Sequence, residues 1–269
     1  MKWKDGIIQK YTTNDGLAGN NISAIDQDKN GNMLFATERG LSVFDGKSFT
    51  NYNYSDGLGN GRISAIEVDG KNIWLGQNWP AGVLTLFNGS TFKNFNIPYS
   101  HQYGMNINSL VMDNYGVLWI GDGNKGLLSF DGENFRQWGI NEGLAGNTVY
   151  NTFIEDDNNI WVATNNGVCV FDGETFKIIH EFNNPHALDN GDVSSIEKSK
   201  DGIYFFGQDV RGLIIYDPNS LRNIEKADGF KKGQVGRIKY DNENNLWISQ
   251  WNGNGGISRI ENEQVVEYI

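Results

Sequence analysis

Gln77-Asn78-Trp79 and Gln250-Trp251 each set an indole beside a side-chain amide, and neither Trp79 nor Trp251 belongs to the phrase that recurs through the rest of the chain. An indole offers a flat apolar face to a sugar ring or another planar ligand, while an amide donates and accepts at once, which suits hydroxyl-rich or amide ligands. Gln208 occupies the same repeat position in a third stretch and Asp122 in a fourth. Arg39, Arg62, Arg211 and Arg237 fall near the same turns and can clamp a carboxylate with two parallel N–H bonds, and Tyr103 adds a phenol. The competing reading packs each indole over its own loop and pairs each arginine with a nearby acid, Arg211 with Asp209 for example. Neither reading calls for a metal or a cofactor.

Catalytic groups are sparse. Of the three histidines, His101 and His186 fall in expected inter-blade loops and His180 in an outer strand, so they do not share one repeat position as a channel-mouth lyase would need. No G-x-S-x-G, H-E-x-x-H or spaced Cys/His set occurs. Asp26-Gln27-Asp28-Lys29-Asn30-Gly31 begins like a calcium loop, but Thr37 stands where a bidentate Glu is required, so it reads as a hairpin turn.

The elements that must position these residues repeat at intervals of about 40 residues, the signature of a β-propeller. Apolar runs begin near Ile22, Ile63, Ile107, Val149, Val193 and Val235, giving repeats that start near 20, 61, 105, 147, 191 and 234. A second run centres on Leu34, Trp74, Trp119, Trp161, Phe205 and Trp247, and a third opens on Gly40, Gly82, Gly126, Gly167, Gly212 and Gly256. The third closes with Phe-Asp-Gly or a variant of it, followed by an aromatic or apolar outer strand. Each unit is therefore expected to be a four-stranded antiparallel meander whose faces are buried only by stacking on its neighbours. The expected fold is all-β, one propeller domain over 1–269, six-bladed, with a seven-bladed ring as the alternative. Loops joining second to third strands gather on one face of a propeller, which places the Trp-bearing loops at a channel mouth.

Composition agrees with this fold. Four Pro, 34 Gly and 13% aromatic residues describe a turn-rich chain, and a formal charge of −11 disfavours a nucleic-acid partner. No apolar run reaches the roughly 18 residues of a membrane span, and the N-terminal residues lack a signal-peptide pattern. The single Cys169 lies between two valines and reads as a buried thiol. Residues 3–13 match the outer-strand phrase, so an N-terminal outer strand is expected there, and Val265 to Ile269 compete for the same edge.

Gly16 to Tyr52 and Gly143 to Lys177 carry the elements G-L-x-x-N, D-x-x-G or its equivalent, L/I-W-I/V (with Met33-Leu34-Phe35 in its place in the first stretch), G-L/V and F-D-G. In these the chain resembles the two-component-regulator propeller repeat, found in the sensor regions of bacterial hybrid histidine kinases and related proteins. Thr37 and Thr164 keep the Thr that ends the second strand, and Gln77, Asp122, Gln208 and Gln250 depart from it. The resemblance implies a sensor module that binds a small molecule or carbohydrate, lies on the periplasmic or extracytoplasmic side, and attaches to signalling domains outside this chain. The alternatives are a protein-interaction scaffold and a polysaccharide or streptogramin-type lyase.

Overall fold

The computed structural model describes residues 2–4, 7–80, 82–98, 105–155, 159–179, 191–208, 212–217, 222–224, 234–241, 243–251, 256–261 and 264–268. The N-terminal strands β1 (Lys2–Lys4) and β2 (Ile7–Gln9) pair with each other, Trp3 opposite Ile8. A single outer strand was expected over 3–13, and the described residues there form these two short paired strands instead.

Six four-stranded antiparallel sheets follow in chain order. The first comprises β3 (Ile22–Gln27), β4 (Met33–Thr37), β5 (Gly40–Phe44) and β6 (Phe49–Tyr52); the second β7 (Gly61–Asp69), β8 (Asn72–Pro80), β9 (Val83–Phe87) and β10 (Phe92–Asn96). The third has β11 (Ile107–Met112), β12 (Leu118–Asp122), β13 (Gly126–Phe130) and β14 (Phe135–Trp138). In the fourth are β15 (Val149–Ile154), β16 (Ile160–Thr164), β17 (Gly167–Phe171) and β18 (Phe176–Ile178). The fifth is β19 (Val193–Lys198), β20 (Tyr204–Gln208), β21 (Gly212–Asp217) and β22 (Arg222–Ile224). The last is β23 (Gln234–Tyr240), β24 (Leu246–Trp251), β25 (Gly256–Glu261) and β26 (Gln264–Tyr268). Each sheet is a simple meander, the blade unit of a β-propeller, and the fold is six-bladed rather than seven-bladed.

The chain packs as two compact units, Met1–Met112 with Gly116–Ile120 and Phe130–Phe135, and Asp113–Tyr115 with Gly121–Ser129 and Arg136–Ile269. Within the first, Leu34, Ala36 and Leu41 of the first sheet bury Ile63, Ile73, Leu75 and Phe87 of the second. Within the other, Trp161, Ala163 and Val168 cover Ile196, Tyr204 and Phe206, and Phe205, Leu213 and Ile215 cover Ile238, Leu246 and Ile248. Alternation along each strand produces this pattern: successive residues point to opposite faces, and each face meets a different neighbouring sheet.

The Phe-Asp-Gly phrase is a turn device. Asp45 Oδ1 accepts the backbone N–H groups of Lys47 and Ser48 at 2.8 and 2.7 Å, and Asp131 and Asp172 repeat the arrangement. Those N–H donors lower the pKa of all three carboxyls. The glycine opening a third strand has a separate cause. Gly40 has φ of 128°, and a Cβ there would stand 2.1 Å from the Tyr52 carbonyl oxygen.

Asp28, the second acid of the calcium-like stretch, also serves a turn: its Oδ1 accepts from the N–H groups of Asn30 and Asn32. Cys169 is buried in β17, and desolvation pushes its thiol up to about 12. No helix among the described residues is long and apolar enough to cross a membrane.

Candidate functional site

Five of the inner strands carry a β-bulge near their start. In β3, β7, β15 and β19 a β-bulge falls at the same repeat position, between Ile22 and Ala24, Ile63 and Ala65, Val149 and Asn151, and Val193 and Ser195. In β23 it widens to lie between Val235 and Ile238, with Gly236 and Arg237 inside it. A bulge leaves its extra residue out of the ladder and re-aims the side chain. Here the residues so displaced are Ser23, Ser64, Tyr150, Ser194 and the Gly236-Arg237 pair.

The serines stitch neighbouring strands. Ser23 Oγ donates to the Ile63 carbonyl and Ser194 Oγ to the Val235 carbonyl, each at 2.5 Å. Ser195 Oγ accepts from Ile238 N–H at 3.1 Å, and Asn151 Oδ1 from Ile196 N–H at 3.0 Å. These bonds fix β15, β19 and β23 side by side.

Tyr150 and Arg237 exploit the same position differently. The Tyr150 hydroxyl donates to Asp192 Oδ2 at 2.8 Å, just ahead of β19. Arg237 reaches past β19 altogether, its Nη1 donating to the Tyr150 carbonyl at 3.3 Å. Its backbone N–H is held by Ser249 Oγ at 2.8 Å. The Arg237 side chain is exposed, yet surrounding protein desolvates it enough to lower its pKa from the ordinary arginine value. The guanidinium remains cationic at neutral pH. The Tyr150 backbone carbonyl and its phenol thus link Arg237 and Asp192 across three successive inner strands.

The row of polar residues that ends the second strands has mainly a loop-holding part. Gln77 is fully buried: its Nε2 donates to the carbonyls of Gly59 and Gly61 at 2.9 and 3.3 Å. The Thr85 hydroxyl lies 2.8 Å from Gln77 Oε1 and 2.6 Å from Asn94 Oδ1, so its single proton serves two acceptors. Asp122 is buried and accepts from the N–H groups of Asn124 and Lys125 at 2.8 and 2.7 Å. Thr37 and Thr164 hold their turns through the Gly40 and Gly167 carbonyls. In the blades of Thr37, Asp122 and Thr164 the side chain satisfies backbone groups of the tight second-to-third turn, whereas Gln77 serves the carbonyls at the entry to β7.

Gln208 differs. It is 2% exposed, and its Oε1 has no hydrogen-bond partner. The residue diagonal to it on the neighbouring third strand explains this: where the second sheet has Thr85 and the last has Ser258, whose Oγ lies 3.4 Å from Gln250 Oε1, the fifth sheet has Ile214. The comparison carries a test. Thr85→Val should orphan Gln77 Oε1 as Ile214 orphans Gln208 Oε1, costing about 1–3 kcal/mol in chemical denaturation; an unchanged midpoint would show that the amide does not need that hydroxyl.

Among the remaining expected residues, Arg39 and Arg62 are exposed; Arg62 Nη2 donates to Asn21 Oδ1 at 3.3 Å, and Arg39 gives its backbone N–H to Thr37 Oγ1. Arg211, Tyr103, His101, His180 and His186 lie outside the described residues, as do the side chains of Trp79 and Trp251. Tyr150 and Asp192 were not singled out by sequence. The signal for Tyr150 was available, since it is a large phenol at a position where other repeats have Ser, Asn or Gly. No cluster of metal-ligating side chains occurs among the described residues.

Comparison with known proteins gives one family model, the two component regulator propeller, matching residues 16–39 and 143–166. No curated protein matches the sequence. Among solved structures, the extracellular domain of a putative one component system from B. thetaiotaomicron superposes with a TM-score of 0.72 at 20% identity, over 92% of this chain and 33% of that one. The extracellular domain of a putative hybrid two component system from the same organism gives 0.72 at 19% identity, over 96% and 38%. Virginiamycin B lyase from Staphylococcus aureus gives 0.74 at 14% identity, over 93% and 84%. The chain spans about a third of the length of the two extracellular domains. At these identities the superpositions establish a shared fold. With its repeats at 16–39 and 143–166, this chain is a six-bladed β-propeller that carries the two component regulator propeller repeat.

Proposed function

We propose that the chain is the ligand-sensing module of a signalling protein, and that it takes a small polar ligand with an anionic group, an oligosaccharide containing an acidic sugar being the best fit. The observation that carries this reading is the Arg237 guanidinium reaching past β19 to the carbonyl of Tyr150, whose hydroxyl in turn donates to Asp192. A desolvated arginine recognises a carboxylate by two parallel charge-assisted bonds, and a tyrosine–aspartate pair beside it can exchange hydrogen bonds with sugar hydroxyls. The repeat family and the extracellular domains of similar fold support a sensing module whose output resides in other domains. In this reading Trp79 and Trp251 supply stacking faces, and Gln208 and Gln250, with Arg39, Arg62, Arg211 and Tyr103, are secondary contacts, while Gln77 and Asp122 keep the loops in place.

The test is a calorimetric titration with uronate-containing oligosaccharides and their neutral counterparts. The acidic ligands should bind at least about tenfold more tightly, and Arg237→Ala should erase that difference while leaving the thermal midpoint unchanged, because one lost charge-assisted bond pair is worth about 1.5–3 kcal/mol. Equal affinity for acidic and neutral ligands, or full binding by Arg237→Ala, would overturn the assignment.

A further inference from the structure

Between the first two sheets, both within the first compact unit, lies a cavity of about 390 Å³ lined by Asp28, Lys29, Tyr52, Lys71, Ile73 and Phe87, among others. Lys29 belongs to the turn that joins β3 to β4, and Lys71 to the turn that joins β7 to β8. In a meander those turns stand at the end of the sheet opposite its second-to-third turns, so the cavity is remote from Gln77 and the loops it holds. Its existence follows from side-chain size. At the matching joint between the fourth and fifth sheets, Trp161 stacks on Tyr204 with ring centroids 4.3 Å apart; here the same two positions hold Leu34 and Ile73, which leave that volume open. The walls are aromatic nonetheless, since the Tyr52 and Phe87 rings lie 4.9 Å apart. Tyr52 also ends its outer strand where the next three sheets have Phe95, Trp138 and Ile179, so it alone of the four brings a hydroxyl.

We propose that this cavity binds a small aromatic carboxylate, its ring against Tyr52 and Phe87 and its carboxylate at Lys29 and Lys71. The volume falls in the roughly 300–1,000 Å³ range of small-molecule sites, which are apolar clefts with a few polar groups that fix orientation. Charge selects the anion. On a chain of net charge −11, Lys29 and Lys71 are exposed and have no ion-pair partner among the described residues. The one acid among the lining residues named above is already committed to its own turn: Asp28 Oδ1 accepts from the N–H groups of Asn30 and Asn32, and Oδ2 from Asn32 Nδ2 at 2.8 Å. The two ammonium groups come from turns of different sheets, so a bound carboxylate would bridge the joint. Nothing in this site depends on Arg237, and the two assignments stand or fall separately.

Calorimetric and NMR titration of the full chain with 2-naphthoate tests this. The probe should bind and shift the Tyr52 ring resonances, and its neutral counterpart 2-naphthamide should bind about tenfold more weakly. Lys29→Gln and Lys71→Gln should each weaken 2-naphthoate about threefold without moving the thermal midpoint, the scale of one solvent-exposed ion pair. Two controls separate this site from others that favour anions. Lys200→Gln, an exposed lysine in the matching turn of the fifth sheet, and Arg237→Ala should both leave the affinity unchanged. Absence of binding, equal affinity for the acid and the amide, or loss of binding in Arg237→Ala with the Lys29 and Lys71 variants unaffected would each overturn the proposal.

Discussion

Replacing Trp161 by alanine is expected to lower the unfolding free energy by about 3–5 kcal/mol, the range for truncating a large buried side chain. Trp161 sits at the centre of β16, 7% exposed. Its ring stacks on Tyr204 of the fifth sheet with centroids 4.3 Å apart and meets Phe206 at 6.1 Å. Both its lost area and the cavity left behind therefore fall at the joint between two sheets, where neither can collapse without moving the other. Trp161→Phe keeps most of that contact and should cost markedly less. Denaturant titration reads both; a loss below about 1 kcal/mol for the alanine variant would mean that this face of β16 does not hold the fourth sheet to the fifth.

The second large effect is on stability in acid. Glu155 follows β15 and accepts from Lys198 Nζ and the Tyr204 hydroxyl, both in the fifth sheet. Burial raises the Glu155 pKa, but the bonds from Lys198 and Tyr204 outweigh it and leave the carboxyl below its ordinary value. A carboxyl depressed on folding contributes stability that is complete above its unfolded pKa, near 4.3, and is lost as pH falls through the folded value. On the same carboxylate, Tyr204 is pushed up to about 12, chiefly by burial and then by Glu155 itself, so its contribution is complete below pH 10 and fades above it. Glu155→Gln should then cost about 1–3 kcal/mol at pH 7 and flatten the acid limb of the stability curve. If the variant and the parent lost stability in parallel from pH 6 to pH 3, the carboxylate would not be a folding contact.

Most of the architecture could be read from the residues because alternation and turn chemistry are local. The Asp-Gly turns, the opening glycines and the centres Trp74, Trp119 and Trp161 announce strands and faces without any knowledge of neighbours. The site was less legible for two physical reasons. A polar side chain at a strand end faces a ligand or its own loop according to its diagonal neighbour on the next strand, and the difference between Thr85 near Gln77 and Ile214 near Gln208 shows only once the strands are paired. The bulges matter more. An extra residue shifts the alternation that sequence reading assumes, so Tyr150 reads as one more strand position until the shift between Val149 and Asn151 re-aims it. Arg237, although picked out as a carboxylate clamp, gains its meaning from a carbonyl two sheets away.

The measurement that bears most directly on the ligand-sensing account is a crystal structure of this chain with a bound uronate-containing oligosaccharide. The account predicts the carboxylate on the Arg237 guanidinium with N···O distances of about 2.7–2.9 Å, and a sugar hydroxyl within hydrogen-bond reach of Asp192 or Tyr150. An oligosaccharide seated away from β15, β19 and β23, with Arg237 still bonded only to protein, would contradict it.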